Sequence, residues 1–381
     1  MNFNQENNMV DLTNLIEPTV VPNVDENGHM GNPAFNTTDL LFIRTPDEGK
    51  YVGAGRVTDY ALCSGKNRCG SVSRTEKYGK GDAWVRPFDV KNDWKSIVPD
   101  DERNLYESGY DCNYRKCGVV PSVHFDLNAV LEEKNKNAGF GKIAEVKTRK
   151  GRVAYRTIEI GYYPNSVCKD SEELENCFNN HPEQFTATGK EYGVFAHQLD
   201  GFKRKSNPEY RYQGNLYVRA KKIWGVNIRL ADYMWYKIEP IAWEILNWDE
   251  MPKAINPNGN GKAKFIDAQA QEIFLRIPYY TNNLDQNRCM YQNSTVRGFL
   301  NGINVCNLKE NGNPKFAAPN GGNFANCGFL QEAFIFHNDL LKEISNSAEQ
   351  EKNKLRQCII NKDSSVLKNL DNISCDELSQ K

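Results

Sequence analysis

The chain has 381 residues, of which 39% are hydrophobic, 11% are aromatic and 25% are charged, and its formal net charge is -1. This composition is that of a folded protein with enough aromatic side chains to fill a core, and it argues against wholesale disorder. A chain with so little net charge has no global field to attract nucleic acid or an anionic membrane. We therefore expect neither a nucleic-acid partner nor membrane insertion.

The N-terminal residues are polar, and they lack the basic and apolar regions of a secretory signal. The sequence also contains no run of about 18 apolar residues, the length that spans a bilayer. We therefore expect a protein that is cytoplasmic or belongs to a particle, such as a virion, assembled inside a cell.

The first segment of the chain has the composition of an arm. Residues 1–38 are rich in Asn, Pro, Asp and Glu and show little periodicity, which predicts an extended conformation. Within this arm the apolar residues Leu12, Val20 and Val21 are candidates for docking on a partner. Residues 40–43 form a short apolar run followed by a turn, and this pattern predicts a buried strand.

Apolar and β-branched runs predict further strands. Residues 119–131 predict a strand that ends the first half of the chain, and the charged residues 132–151 predict a linker or an exposed hairpin. Residues 153–163 predict another strand, ended by the proline that follows. A hairpin is predicted around the Gly214-Asn215 pair, because such pairs favour tight turns.

Capping signals and apolar spacing predict three short helices. Residues 171–179 carry Ser171 as a cap and apolar residues on one face. Residues 294–302 begin with Ser294 as a cap and end with an Asn-Gly pair, which stops a helix. Residues 328–334 predict the third helix.

The eleven cysteines are scattered over a long chain, unlike the dense pattern of a disulfide framework, so reduced thiols are expected. Five residues separate Cys63 from Cys69, and four separate Cys112 from Cys117. These intervals exceed that of a tight zinc knuckle, which disfavours zinc, so a four-thiolate zinc site, unpaired thiols and a redox-dependent crosslink all stay open. Our prediction is that the protein holds neither a metal nor a cofactor.

Motifs for known chemistries are weak. Residues 53–55 lack the third glycine of a dinucleotide fingerprint. Residues 258–262 have the wrong spacing for a phosphate loop, with Ala263 where a magnesium-binding hydroxyl should stand. Tight turns are the simpler interpretation of both. Alternation along a strand would put Glu239 and Glu244 on opposite faces, so they are not expected to cooperate as an acid–base pair.

Five segments in the second half of the chain follow a known order and spacing. A Tyr-Pro pair precedes a tyrosine-containing hairpin, then "EPIAWEIL", "STVRGFLN" and "GFLQEAF". On these segments the chain resembles the bacterial and phage domain-of-unknown-function family 6273, with a departure at Gly298-Phe299, where Lys-Trp is common. The matching residues are Tyr163-Pro164, Tyr210–Tyr217, Glu239–Leu246, Ser294–Asn301 and Gly328–Phe334.

The terminal segment usual in that family does not follow Phe334. Similar residues stand at the front of the chain instead, at 41–46 and 118–128, so the chain resembles a circularly permuted member. The rival interpretation is a truncated first module followed by an incomplete second one, which would expose apolar sheet edges. The predicted domains are an extended arm at 1–38, the permuted terminal segment at 39–134, the main body at 135–337 and a helical tail at 338–381.

The family pattern is similar to C-type-lectin-like and formylglycine-generating-enzyme-like domains. This similarity implies an α+β fold, a compact domain with small twisted antiparallel sheets, short helices and long irregular loops. We expect the signature residues to serve the core, and Arg297 and Glu239 to form a pair that orients a helix. The expected core residues are Trp243, Leu246, Val296, Phe299, Leu300 and Phe334.

Such folds carry recognition on loops, which favours a non-enzymatic recognition module, in a phage or bacterial surface assembly, that binds a protein or glycan ligand. The candidate ligand surface lies between residues 44 and 83, where Tyr and Arg side chains provide contact area with few rotatable bonds. The predicted ligand-binding residues are Arg44, Lys50, Tyr51, Arg56, Tyr60, Lys77 and Tyr78.

Two other functions stay open. A structural or assembly protein would dock on neighbours, or on a second copy of itself, through the arm and the tail. A thiol-dependent oxidoreductase of the formylglycine-generating type would need a reactive cysteine pair, and Cys112 and Cys117 stand in roughly the matching part of the pattern.

Overall fold

The computed structural model describes residues 2–4, 8–23, 31–45, 56–64, 83–84, 95–100, 104–109, 116–137, 139–147, 151–198, 201–221, 233–278, 291–305 and 324–341. The chain divides into one unit of residues 1–338 and another of residues 339–381. The helices and strands described below belong to the first unit.

Short helices and a larger number of strands make up this unit. The helices are α1 (Asp59–Ser64), α2 (Leu127–Lys136), α3 (Ser171–Asn180), α4 (Thr295–Asn301) and α5 (Phe329–Phe334). The strands are β1 (Asn2–Asn4), β2 (Met9–Asp11), β3 (Thr19–Val21), β4 (Thr37–Asp39), β5 (Leu41–Phe42), β6 (Arg56–Val57), β7 (Ala83–Trp84), β8 (Lys95–Asp100), β9 (Asn104–Gly109), β10 (Lys116–Val119), β11 (Ser122–Asp126), β12 (Ile143–Lys147), β13 (Val153–Val167), β14 (Thr186–Gln198), β15 (Gly201–Tyr212), β16 (Asn215–Lys221), β17 (Tyr233–Ile245), β18 (Phe265–Ala270), β19 (Glu272–Ile273), β20 (Leu275–Pro278) and β21 (Ile335–His337).

A nine-stranded antiparallel sheet organises the fold. Its main path runs β14-β15-β16-β17-β18-β11-β5, and β13 joins β17 on the other side and carries β12. Smaller sheets are β1-β2-β21, β20-β10-β7-β8-β9, β19-β6 and β3-β4. The expectation of a mixed α and β fold with antiparallel sheets is therefore confirmed, although β10–β7 and β19–β6 pair in parallel.

The core lies between the large sheet and helices α4 and α5. Trp243 on β17 is fully buried, and its indole N–H donates a 2.8 Å hydrogen bond to the carbonyl of Ile160 on β13. Its ring lies near those of Phe125 and Phe334, at centroid distances of 5.6 and 6.0 Å. The predicted core residues Val296, Phe299 and Leu300 are likewise buried, whereas Leu246 is only half-buried.

Helix α3 builds a second apolar cluster. Leu174 and Phe178 on this helix pack with Phe185 and with Trp235 on β17, and the indole of Trp235 is completely buried. The predicted helix is confirmed, but its predicted cap is wrong: the Ser171 hydroxyl accepts a 3.0 Å hydrogen bond from the backbone N–H of Trp235 instead of capping its own helix.

Helix α4 ends as its sequence signals. The Ser294 hydroxyl accepts a hydrogen bond from the N–H of Arg297, and Gly302 adopts the left-handed conformation, with φ of 63°, that stops the helix. Asn301 fastens the helix to β5, because its side chain accepts from the N–H groups of Leu40 and Leu41 and donates to the Leu41 carbonyl.

Two strand predictions are wrong in their extent. The predicted strand 119–131 stops at Asp126, whose carboxylate accepts hydrogen bonds from the N–H groups of Asn128 and Ala129 and so begins helix α2. Half of the segment 132–151, predicted as a linker or an exposed hairpin, lies in helix α2 and strand β12, and β12 forms a hairpin with β13. Strand β13 continues through its proline, because β17 still pairs with it there.

The N-terminal segment packs against its own chain. Leu12 is fully buried and its N–H bonds to the carbonyl of Phe334, and Val21 is buried as well. Strand β2 pairs with β21, with Met9 opposite His337, so the two ends of the first unit are neighbours. Leu12 and Val21, two of the three residues predicted to dock on a partner, thus pack against the chain itself, whereas Val20 is 63% exposed.

Among the helices that the structure describes, none has the length and apolar character needed to cross a membrane.

Candidate recognition site

Two of the predicted ligand-binding residues have described side chains, and both are buried. Arg44 is 7% exposed and Tyr60 is 1% exposed, so neither lies on an exposed ligand surface. The backbone of Arg56 is in β6, opposite Glu272, and its side chain is not described. The other predicted residues, Lys50, Tyr51, Lys77 and Tyr78, lie outside the described residues.

Arg44 follows β5 and is bound to the large sheet. Its guanidinium forms an ion pair with Asp267 on β18, and its Nε donates a 3.1 Å hydrogen bond to the Ser122 hydroxyl on β11. The guanidinium also lies 5.4 Å from the ring centroid of Phe42. Buried in this way, Arg44 positions the chain where it leaves the sheet.

His124 connects the Arg44–Asp267 ion pair to strand β3. Its Nε2 lies 3.3 Å from the carboxylate of Asp267, and its Nδ1 lies 2.9 Å from the hydroxyl of Thr19 on β3. Its ring stacks on Phe265 with a centroid distance of 4.1 Å. Burial raises the pKa of Asp267, but His124 and Arg44 together outweigh burial and hold that pKa below its ordinary value.

Tyr60 anchors helix α1 to the sheet. Its hydroxyl accepts a 2.9 Å hydrogen bond from the Asn207 side chain and donates to the carbonyl of Tyr192 at 3.3 Å. Its ring meets Tyr163 and Tyr236 edge-on, at centroid distances of 5.9 and 5.2 Å. The chain is therefore held at Arg44 and again at Tyr60, and the segment between them is tied to the sheet at both ends.

Two buried carboxylates stabilise the edge strand β14. Glu332 on α5 accepts hydrogen bonds from the Tyr163 hydroxyl at 3.0 Å and from the backbone N–H of Gly193 at 2.9 Å. Glu209 on β15 is fully buried and accepts from the Tyr192 hydroxyl at 3.1 Å and from the Thr188 hydroxyl at 2.9 Å. Because hydrogen bonds from neighbouring donors satisfy these carboxylates, they act in the scaffold.

Lys190 connects the same strand to the end of α5. Its ammonium donates to the carbonyl of Glu332 at 2.8 Å and to the carbonyl of Ile335, which are backbone groups left over at the helix end. Burial lowers the pKa of Lys190 from 10.5 to about 8, although the charges of Glu209 and Glu332 oppose that change.

Residues 247–264 form a compact surface loop, here called the Asn loop. Asn247 closes its base, because its side chain donates to the Phe265 carbonyl and accepts from the N–H of Asp267. Met251 and Asn256 are buried inside it. A Cβ on Gly259 would lie 1.9 Å from the Met251 carbonyl oxygen, so no side chain fits there. Backbone bonds cross the loop from Asn260 to Asp249, from Gly261 to Met251 and from Ala263 to Glu250.

The predicted pair of Arg297 and Glu239 is wrong. Arg297 forms an ion pair with Asp39 at 2.7 Å and donates to the carbonyl of Gln292. The Glu239 carboxylate accepts from the N–H and the hydroxyl of Ser166. Arg297 still fixes its helix, but through β4 rather than through the signature strand.

The cysteines with described side chains include two near helix α3. Cys168 and Cys177 are reduced thiols, and burial raises the pKa of the Cys168 thiol to about 12. The pairs proposed for zinc, a crosslink or oxidoreductase chemistry have no described side chains, since Cys69 and Cys112 lie outside the described residues. Within the described ranges, His, Cys, Asp and Glu side chains form no group of three suited to a metal ion.

The sequence pattern missed the residues that build these clusters. Asp267 and Glu332 carry no local signal, because their partners stand 223 and 169 residues away along the chain. The Asn loop does carry a signal, since Asn258 and Asn260 alternate with Gly259 and Gly261, a pattern that predicts a tight turn but not the ordered loop around it.

Comparison of the chain with protein-family models, curated proteins and solved structures finds no match in any of the three. The resemblance to family 6273 and to lectin-like domains therefore stays a prediction.

Proposed function

We propose that the protein is a non-enzymatic recognition module whose loops bind a protein or glycan ligand. The observation that carries this proposal is the anchoring of the segment between Arg44 and Tyr60, described above. Loops attached to a rigid sheet lose little conformational entropy on binding, and for this reason recognition is commonly placed on them. The ligand surface that remains comprises Lys50, Tyr51 and Arg56, which lie between the two anchors, and Lys77 and Tyr78, which follow the second; Arg44 and Tyr60 become positioning residues.

The engagement of the interior polar groups supports the same proposal. Glu209 and Glu332 are buried and accept hydrogen bonds from the surrounding scaffold, and the half-buried Asp267 forms an ion pair with Arg44. A buried carboxylate that is fully bound in this way stabilises one arrangement of the chain and is poorly placed to exchange protons with a substrate.

The lectin-like, permuted architecture is part of the proposal. Pairing of β2 with β21 supports it, because the present ends of a permuted chain come from a segment that is continuous in the family and are therefore expected to be neighbours. The assembly alternative loses part of its basis, since Leu12 and Val21 are buried within the chain itself.

The first experiment is a binding screen of the labelled protein against a glycan array and against bacterial envelopes, with and without EDTA. We expect saturable binding that survives EDTA. The double variant Tyr51→Ala/Tyr78→Ala should lose it, and Lys50→Ala/Lys77→Ala should weaken it. The matched control is Lys136→Ala/Lys147→Ala, which removes two exposed lysines from α2 and β12.

Two results would overturn the proposal. Binding that is unchanged in the tyrosine variant would remove the ligand surface between residues 44 and 83. An absence of binding to both panels, together with concentration-dependent self-association that is lost on deleting residues 339–381, would favour the assembly protein.

A further inference from the structure

We infer that the Asn loop is a second recognition site, built on different residues from the first, and that it binds an acidic peptide segment of a protein partner. The inference begins with the order of the loop. Backbone hydrogen bonds join its two sides, and its buried residues Met251 and Ile255 give it a small core of its own. A surface loop held in this way presents its outer side chains with little ordering still to be done on binding.

The outer side chains are hydrogen-bond donors. Asn258, Asn260, Lys262 and Lys264 are exposed, and the residues between them are Gly259, Gly261 and Ala263. We call these four exposed residues the donor strip. Because two glycines and one alanine separate its members, no bulky side chain stands between one donor and the next.

A hydrogen bond inside the loop determines which atom of the Asn260 side-chain amide is available to a ligand. The Oδ1 of Asn260 accepts a 2.9 Å hydrogen bond from the N–H of Lys262. The Nδ2 of Asn260 therefore remains as a donor, and within the described residues it has no partner. Lys262 and Lys264 form no ion pair within the same residues, so their ammonium groups are also available to a ligand.

Donors of this kind select a ligand rich in carboxylate oxygens. A saccharide is disfavoured because sugars commonly need an open aromatic face, and the guanidinium of Arg156 lies 4.6 Å from the ring centroid of Trp248, the aromatic residue of the loop. Two carboxylates in the loop, Asp249 and Glu250, are exposed and oppose an acidic ligand. Removing one of these negative charges should therefore strengthen the binding of an acidic ligand.

The test measures binding of an octa-glutamate peptide to the full chain by titration calorimetry at low salt, with octa-glutamine as the matched neutral peptide. We expect binding of octa-glutamate only, and an affinity that falls as salt is raised. Asn260→Asp keeps the acceptor that Lys262 uses but replaces the donor with a charged oxygen, so it should weaken binding about 10-fold or more. Glu250→Gln should strengthen binding.

The control for Asn260→Asp is Asn128→Asp, which makes the same charge change at the exposed start of α2. The inference is overturned if Asn260→Asp and Asn128→Asp bind octa-glutamate equally, if octa-glutamine binds as well, or if Glu250→Gln weakens binding. Binding of an oligogalacturonate without binding of octa-glutamate would assign the loop to a saccharide and overturn it too. The recognition surface between residues 44 and 83 is tested separately, because Tyr51→Ala/Tyr78→Ala leaves the donor strip intact.

Discussion

Replacement of Lys190 by methionine should change how the stability of the protein depends on pH. In the folded state burial lowers the pKa of this lysine from 10.5 to about 8. Between these values the unfolded chain keeps the proton that the folded chain has lost. The unfolded state then binds more protons, so the free energy of unfolding rises with pH over this interval. Lys190→Met removes the titrating group and should remove that rise.

The size of the effect follows from the two pKa values. Relative to pH 7, Lys190 should add about 1.3 kcal/mol to the free energy of unfolding at pH 9 and about 2.5 kcal/mol at pH 10. The change in unfolding free energy at pH 7 alone does not test the pKa of Lys190, because methionine also leaves the carbonyls of Glu332 and Ile335 without a donor. The pH dependence of the difference between the two proteins isolates the lysine.

The assay is urea unfolding of both proteins from pH 7 to pH 10, followed by tryptophan fluorescence. Buried groups with raised pKa values, such as the Cys168 thiol, change stability in the opposite direction above pH 9, but they are present in both proteins. The reasoning is refuted if the difference in unfolding free energy stays constant over this range. It is also refuted if the wild-type protein loses stability relative to the variant as the pH rises.

Three other predictions test the scaffold. Gly259→Ala should lower the free energy of unfolding by about 1–3 kcal/mol, because the new Cβ meets the Met251 carbonyl, and urea unfolding measures it. Asn301→Ala should cost about 2–3 kcal/mol by the same assay, since it leaves backbone groups of β5 unsatisfied; a loss below about 0.5 kcal/mol would contradict this. In native protein at pH 8, iodoacetamide should label Cys177, which is half-buried, before Cys168, which is buried and has a raised pKa; peptide mass mapping that shows the reverse order would contradict it.

Local signals predict helices α3, α4 and α5 well, but miss α1 and α2. The Ser294 cap and Asn301-Gly302 stop gave helix α4 to within a residue, because both act through the backbone of the helix itself. The strand predictions failed at their ends. Asp126 begins a helix inside an apolar run, and a proline within β13 did not end that strand, because β17 continues to pair with it. A local cap decided the first case, since Asp126 accepts from the N–H groups of Asn128 and Ala129, and a pairing partner far away in sequence decided the second.

The candidate site was predictable only in part. Arg and Tyr side chains suit a binding surface, but Arg44 and Tyr60 are buried anchors. The same side chains suit a binding surface and a buried anchor, since a guanidinium or a phenol combines apolar area with hydrogen-bonding groups. Only the fold shows that Asp267 already binds the Arg44 guanidinium and that Asn207 already binds the Tyr60 hydroxyl. No pattern within a few residues of Arg44 carries that information.

The division between anchors and exposed donors suits the recognition role proposed above. In the described residues, Glu332 accepts from the backbone N–H of Gly193, and Arg297 forms an ion pair with Asp39. Moving either charged group would break a buried contact. In the Asn loop the backbone is equally committed, but Asn260 and Lys262 keep donors directed to solvent. A rigid framework with uncommitted donors at its surface can exchange water for a ligand at low cost.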